Sequence, residues 1–251
     1  MSMFDAFRHV NIVIKSSTME IFLNNKKFVS ENNFNLTSFK IWVQNNLKYK
    51  PLYASGNKNN FMSNSCENME LPYISFCFYL LLVKLGHPPT IEQLTERYFS
   101  LYMIDNKDGT HSLKEIFNIP DVKIKKEYVE GRIFRSYYSF IRELNAILIA
   151  QSINKDFYYN FKKDLKGIDI CLGDTLGIAS FVATKRSMEF KKRKITTRHK
   201  YTVKLLDLPA VMDKASKDYN CINVNGIMLY DEEKVKNTIK AFLKEIDTIQ
   251  P

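Results

Sequence analysis

Residues 164–200 of the chain, DLKGIDICLGDTLGIASFVATKRSMEFKKRKITTRHK, decide the fold of its second half. They contain two short apolar runs, 165–172 and 176–183, which a Gly-Asp-Thr sequence separates. Short runs rich in Ile, Leu and Val on either side of turn-forming residues are typical of neighbouring β-strands. Asp169 lies between two isoleucines in the first run. We therefore expect a carboxylate on a β-strand that is otherwise apolar.

The second apolar run continues into a strongly basic segment. Residues 181–204 contain nine Lys or Arg and one acid, Glu189, in a chain whose net charge is +10. Charge concentrated in one segment favours a polyanionic partner, nucleic acid first and an anionic membrane surface second, over a general effect on solubility. His199 fits a general base or a contact with a phosphate or a nucleobase, and the alternative is a structural or solvent-exposed position. The side chains that we expect to contact phosphate groups are Arg186, Ser187, Lys191, Lys192, Arg193, Lys194, Arg198 and His199.

The pattern on both sides of this stretch predicts a domain of mixed secondary structure over 121–251. A helical spacing of apolar residues precedes the stretch, and two more apolar runs and an amphipathic helix follow it. In chain order, the predicted elements are a helix over 131–153, strands over 157–161, 165–172, 176–183, 203–208 and 222–230, and a helix capped by Asp231. This order is typical of an α/β or α+β fold with one mixed central sheet flanked by helices.

Residues 1–120 are expected to form a mainly helical region with a recognition or interaction role. Helices are predicted over 36–47 and 72–85, and the tetrapeptide TIEQ at 90–93 has the sequence of a capping box that begins another. The Gly-His-Pro-Pro turn between the last two helices fits either an ordinary helical hairpin or a DNA-reading helix-turn-helix. A polar connector is expected over 104–120, at the boundary between the two domains.

The sequence lacks the motifs of several common enzyme classes. It has no Gly-rich phosphate loop, nucleophile elbow or HExxH sequence, which argues against NTPase, serine-hydrolase and zinc-protease functions. Its four cysteines form no CxxC pair and have no spacing suited to zinc. The N-terminus has no signal-peptide pattern, and the longest apolar stretch, 74–83, covers about half a membrane span. We therefore expect a cytoplasmic protein without membrane contact.

Two carboxylates in the second domain are candidate metal ligands. Glu143 lies on the same stripe of its predicted helix as Ala146 and Ile147, so it projects from a partly buried face. Together with Asp169 on a strand it can hold Mg²⁺, which would polarise a phosphate and activate water. The alternative for Glu143 is an edge position with a salt bridge to a nearby Lys or Arg. Lys185, just beyond the second strand, is either a phosphate contact or part of a solvated strand end.

The order of the predicted elements resembles the core of a known enzyme family. It runs from a helix with Glu143 through a strand, a second strand with Asp169 and a turn to a third strand that is followed by Lys185. This order is similar to the PD-(D/E)xK restriction-endonuclease-like core over roughly 131–246. In that family the helix Glu and the strand Asp bind Mg²⁺, and the next strand supplies an acid and a lysine as E-x-K. The resemblance implies that Glu143 and Asp169 are metal ligands and that both act with Lys185 in catalysis. The chain departs from the family at 180–185, which read SFVATK and contain no acid.

Together with the basic segment, the resemblance implies a DNA-acting protein, namely a Mg²⁺-dependent endonuclease of restriction type. Because the E-x-K acid is missing, one alternative is a catalytically inactive protein of the same fold, such as a phage or defence factor, that binds nucleic acid or a nucleic-acid enzyme. Another alternative is a protein-interaction module whose basic segment meets an acidic partner. Many enzymes of the resembled family are dimers, so a homodimer is an alternative to a monomer.

Overall fold

The chain divides into two compact units in a computed structural model. Unit 1 comprises Met1–Ile21 and Asn46–Ile141, and unit 2 comprises Phe22–Asn45 and Arg142–Pro251. The described part is mixed α+β and mostly helical, which confirms the coarse fold class predicted from sequence. The domain boundary expected at residue 120 lies outside that part and stays a prediction. The structure describes residues 34–47, 73–113, 123–159, 168–173, 176–183, 202–209, 221–225 and 227–247.

Unit 1 contains two helices joined by a short turn. Helix α2 (Ile74–Leu85) is apolar on nearly all sides and ends at Gly86, whose positive φ of 71° lets its N–H donate to the Leu82 carbonyl at 2.9 Å. Helix α3 (Ile91–Tyr102) begins with the predicted capping box: the Gln93 N–H donates to Thr90 Oγ1, and the Thr90 N–H donates to Gln93 Oε1. Both predicted helices and the cap are confirmed.

A β-hairpin follows α3 where the sequence predicted a polar connector. Strand β1 (Met103–Asp105) pairs antiparallel with β2 (His111–Leu113), with Met103 opposite Leu113. The turn is closed by polar side chains, since the Thr110 hydroxyl donates to Asp108 Oδ1 at 2.6 Å. Two three-residue strands are too short to show an alternating apolar pattern, and this is why the prediction over 104–113 was wrong.

The longest helix, α4 (Lys126–Ile153), contributes to both units, because the division falls between Ile141 and Arg142. In unit 1 its Tyr137 hydroxyl donates to the Pro89 carbonyl at 2.9 Å, and the Tyr137 ring packs edge-on against Phe78. In unit 2 every residue from 144 to 150 is buried. The helix begins five residues before the predicted 131 because its first turn is charged and hides the apolar period.

Unit 2 contains a four-stranded mixed sheet in the order β3-β4-β5-β6. The first three strands pair antiparallel, whereas β5 and β6 are parallel from Leu176↔Thr202 to Ala183↔Pro209. Residues 184–201 therefore join the carboxyl end of β5 to the amino end of β6, as a parallel pair requires. The strands are β3 (Phe157–Tyr158), β4 (Ile170–Leu172), β5 (Leu176–Ala183) and β6 (Thr202–Pro209).

The last two strands form a sheet of their own, and this corrects two predictions. Strands β7 (Cys221–Val224) and β8 (Ile227–Tyr230) pair antiparallel as a hairpin, where one strand over 222–230 was predicted. Asn225 at the turn has a φ of 52°, and the Asn-Gly dipeptide is a strong hairpin sequence that the apolar pattern obscured. Within the described residues, the strands of unit 2 thus form two sheets rather than one central sheet.

Two helices complete the described part of unit 2. Helix α5 (Glu232–Asp247) begins after Asp231, whose Oδ1 accepts the Lys234 N–H at 3.0 Å, which confirms the predicted cap. Helix α1 (Leu36–Asn46) is joined to α5 by an ion pair between Lys40 and Glu232. Of the helices in the described ranges, none combines the length and apolar character that a membrane crossing needs.

Candidate functional site

Asp169 lies at the edge of β4, almost fully buried. Asp169 is only 3% exposed to solvent, and its neighbours Ile168 and Ile170 are buried as well. The Asp169 N–H donates to the Ile178 carbonyl at 3.0 Å, which extends the β4–β5 ladder one residue beyond β4. The strand was predicted over 165–172, but β4 begins at Ile170, so Asp169 lies one residue before the strand rather than within it. Its carboxylate is nonetheless in buried apolar surroundings, and its backbone is bonded to the sheet.

Gly177 of β5 makes room for the segment that carries Asp169. A Cβ atom added at Gly177 would overlap Cγ2 of Ile168, because the two atoms would be closer than a Cβ atom and another heavy atom come in proteins. Ile168 is itself buried, so the sheet offers it no free space to move into. Sequence reasoning passed over Gly177, although an isolated glycine inside a strand often marks such a close approach.

Glu143 lies in the part of α4 that belongs to unit 2. It is half-buried and has partners within the protein, in a stretch where the following residues are buried. The preceding residue, Arg142, has the pKa of its guanidinium lowered by burial, an effect that the Tyr230 phenol opposes. Asn145 is buried, and its Oδ1 accepts the Tyr230 N–H at 2.8 Å. Three polar side chains thus interrupt the apolar helix near Glu143, and sequence reasoning identified only the glutamate.

Glu143 and Asp169 are both in unit 2, and their chemistry suits a hard divalent cation. Neither is without partners in the protein. Among the described residues, no cluster of three or more His, Cys, Asp or Glu side chains is arranged to bind a metal ion. Two carboxylates are nonetheless the usual protein contribution to a Mg²⁺ site, because this ion keeps several waters and takes substrate phosphate oxygens as further ligands.

The other predicted site residues lie outside the described residues. This applies to Lys185 and to the expected phosphate contacts Arg186, Ser187, Lys191, Lys192, Arg193, Lys194, Arg198 and His199. The two ends of their segment are described: β5 ends at Ala183, as predicted, and β6 begins at Thr202. The two strands that flank this segment in the sequence thus belong to the sheet to which the Asp169 backbone is bonded.

The register of β5 and β6 brings an acidic residue next to β5. Asp207 of β6 is paired with Phe181 of β5. Phe181, Val182 and Ala183 themselves provide no carboxylate. An acid on the neighbouring strand could not be recognised before the parallel pairing was known, because the two residues are far apart in sequence.

Comparison with known proteins adds no relative: no family model, curated protein or solved structure matches the chain. Inferences about function therefore rest on its own residues.

Proposed function

We propose that the protein acts on nucleic acid as a Mg²⁺-dependent DNA endonuclease of restriction type. The observation that carries the proposal is Asp169, a buried carboxylate whose backbone is bonded to the strand that continues into the basic segment. Burying an ionised carboxylate is costly, so such groups are kept where a cation or hydrogen-bond donors hold them. A buried acidic group on the sheet, together with a polycationic segment that continues from it in the sequence, suits the hydrolysis of a phosphodiester.

The proposed roles follow from the chemistry of each side chain. Asp169 and Glu143 would hold Mg²⁺, which supplies charge stabilisation at a phosphate oxygen and a more acidic water. Lys185 would pair with the phosphate that is cut, two residues after β5 ends. The remaining basic side chains of 184–201 would neutralise neighbouring phosphates, which positions the nucleic acid without reading its sequence.

The test is metal-dependent cleavage by the wild type and by Asp169→Asn. Supercoiled plasmid, linear duplex, single-stranded DNA and RNA are incubated with Mg²⁺, Mn²⁺ or EDTA. We expect duplex DNA to be cut with Mg²⁺ and not with EDTA, and Asp169→Asn to slow cutting by at least about 100-fold, as loss of a charged catalytic group commonly does. DNA binding in EDTA should change little.

The matched control is Asp156→Asn, which removes the same charge from an exposed turn of unit 2. It should cut DNA at the wild-type rate. Equal rates for Asp169→Asn and wild type, or no cleavage of any substrate with either metal, would overturn the endonuclease proposal.

One observation favours a second candidate, a nucleic-acid-binding protein of the same architecture without catalysis. Strand β5 ends at Ala183, and the family's acid has no counterpart at its last positions. This candidate predicts no metal-dependent cleavage, but it predicts loss of binding when Lys191, Lys192, Arg193 and Lys194 are changed to Glu. The cleavage assay above therefore separates the two candidates.

A further inference from the structure

A shallow surface cavity of about 280 Å³ lies between α2 and α3 in unit 1 and is largely open to solvent. Its walls differ in chemistry, because α2 contributes two leucines and α3 contributes four polar residues. No part of the proposed function uses this cavity. Its lining residues are Leu81, Leu85, Gln93, Glu96, Arg97 and Ser100.

Arg97 gives the cavity its chemical character. Its Nε atom is buried, and within the part of the chain that the structure describes it has no hydrogen-bond partner. This atom has essentially no surface open to solvent, so a ligand in the cavity does not reach it. Arg97 itself is only partly buried and lines the cavity, and its guanidinium has further N–H donors on Nη1 and Nη2 for an acceptor bound there.

The buried groups that interact electrostatically with Arg97 do not neutralise its charge. Burial raises the pKa of the Cys77 thiol to about 12 and raises the pKa of the Tyr102 phenol as well, so both groups are neutral near pH 7. Glu96 also lines the cavity but is exposed, and consecutive helix residues do not face each other. A positive charge therefore lies at the polar wall, opposite an apolar one.

We propose that this cavity binds a small monocarboxylate with a short apolar chain. The carboxylate accepts hydrogen bonds from the Arg97 guanidinium, a pairing that is stronger than one between neutral groups. The chain packs against Leu81 and Leu85, and Gln93 is a further hydrogen-bonding group on the wall. Glu96 disfavours phosphate and other dianions, and Glu92 adds to the acidic character of the exposed face of α3. The same acidity argues against α3 as a DNA-reading helix.

The experiment is an NMR titration of the full ¹⁵N-labelled chain with acetate, butyrate, hexanoate, inorganic phosphate and neutral hexanamide. We expect shifts confined to amides of α2 and α3, with affinity that rises from acetate to hexanoate as more apolar surface is buried. Phosphate and hexanamide should bind at least about tenfold more weakly than hexanoate, because one is repelled by Glu96 and the other lacks a charge for Arg97.

Three variants make the test specific. Arg97→Gln should weaken hexanoate by about tenfold or more, and Glu96→Gln should strengthen it, since a like charge is removed. The control is Lys84→Gln, which removes one positive charge from an exposed position on α2 outside the cavity lining and should leave the affinity unchanged.

The proposal is overturned if no carboxylate shifts these amides, in which case the cavity holds water alone, or if Lys84→Gln and Arg97→Gln weaken binding equally. If Arg97→Gln does not fold, Leu85→Ala replaces it. That variant should remove the preference for hexanoate over acetate, and an unchanged preference would overturn the proposal just as directly. Cleavage of DNA by the same preparations reports on the proposed function separately.

Discussion

Gly177 shows at the scale of one residue how the candidate site is held. Its missing side chain lets Ile168 pack against β5, and Ile168 immediately precedes Asp169. The absence of a side chain at Gly177 therefore determines how closely the segment before β4 approaches β5, and with it the position of Asp169.

Gly177→Ala should destabilise the protein by about 1–3 kcal/mol, because the added methyl group overlaps Cγ2 of a buried isoleucine. The measurement is the free energy of unfolding in urea. Ile168→Leu is the matched background, since leucine has no second γ-carbon on Cβ. Gly177→Ala should cost less in that background than in the wild type, and an equal cost would show that the overlap is not the cause.

Glu232 is a second residue with a defined electrostatic role. Side-chain hydrogen bonds from Lys236, at 2.5 Å, and from Lys40 hold the pKa of this carboxyl below its ordinary value of 4.5. A depressed pKa means that the folded state favours the ionised form. The resulting stabilisation is complete above the ordinary pKa and is lost as the pH falls through the lower folded-state value.

Glu232→Gln should therefore lower the free energy of unfolding at neutral pH by roughly 0.5–1 kcal/mol, in the range of partly exposed ion pairs. The difference from wild type should shrink as the pH falls below about 4. Unfolding in urea is compared across this range. Glu233→Gln, the exposed neighbour in the same first turn of α5, is the control for the helix dipole and should show a smaller effect. A pH-independent difference would contradict the ion-pair explanation.

At the scale of elements, the hairpin β7–β8 depends on one left-handed residue. Asn225 has a φ of 52°, a conformation that Asn and Gly adopt more easily than other residues.

Asn225→Ala should destabilise the protein by about 1 kcal/mol, whereas Asn225→Gly should change stability by only a few tenths. Thermal and urea unfolding provide the comparison. A cost as large for glycine as for alanine would mean that the asparagine side chain, rather than the backbone conformation, matters at this turn.

Helices and strands with a long or uninterrupted apolar pattern were predictable from sequence, whereas short strands were not. Helix α5 was recognised from Val235, Ile239, Phe242 and Ile246, all of which are buried. Strand β5 was predicted with its exact ends because its apolar run is continuous. The turn at Asn225 was overlooked because apolar residues on both sides resemble one long strand.

The candidate site was predictable only in part, for a related reason. Asp169 could be identified because a carboxylate between two isoleucines is unusual in any strand. The positions of Asn145 and Asp207 could not be predicted, since the first is bonded to Tyr230 and the second is paired with Phe181. Such contacts join residues that are distant in sequence, and a local pattern contains no information about them.

At the scale of the whole molecule, both candidate functions require contact between the basic segment and nucleic acid, whether or not the protein cuts its partner. Residues 184–201 contain eight Lys or Arg and one acid, so binding should release several counterions and weaken steeply with salt.

The most direct measurement is the affinity for a short DNA duplex in EDTA as the salt concentration rises from about 50 to 200 mM. We predict measurable binding at the lower concentration and a slope of log affinity against log salt between about −4 and −7, for roughly five to eight neutralised phosphates. Changing Lys191, Lys192, Arg193 and Lys194 to Glu should abolish the binding. No binding at low salt, or an affinity that salt and these changes leave unaltered, would contradict the account.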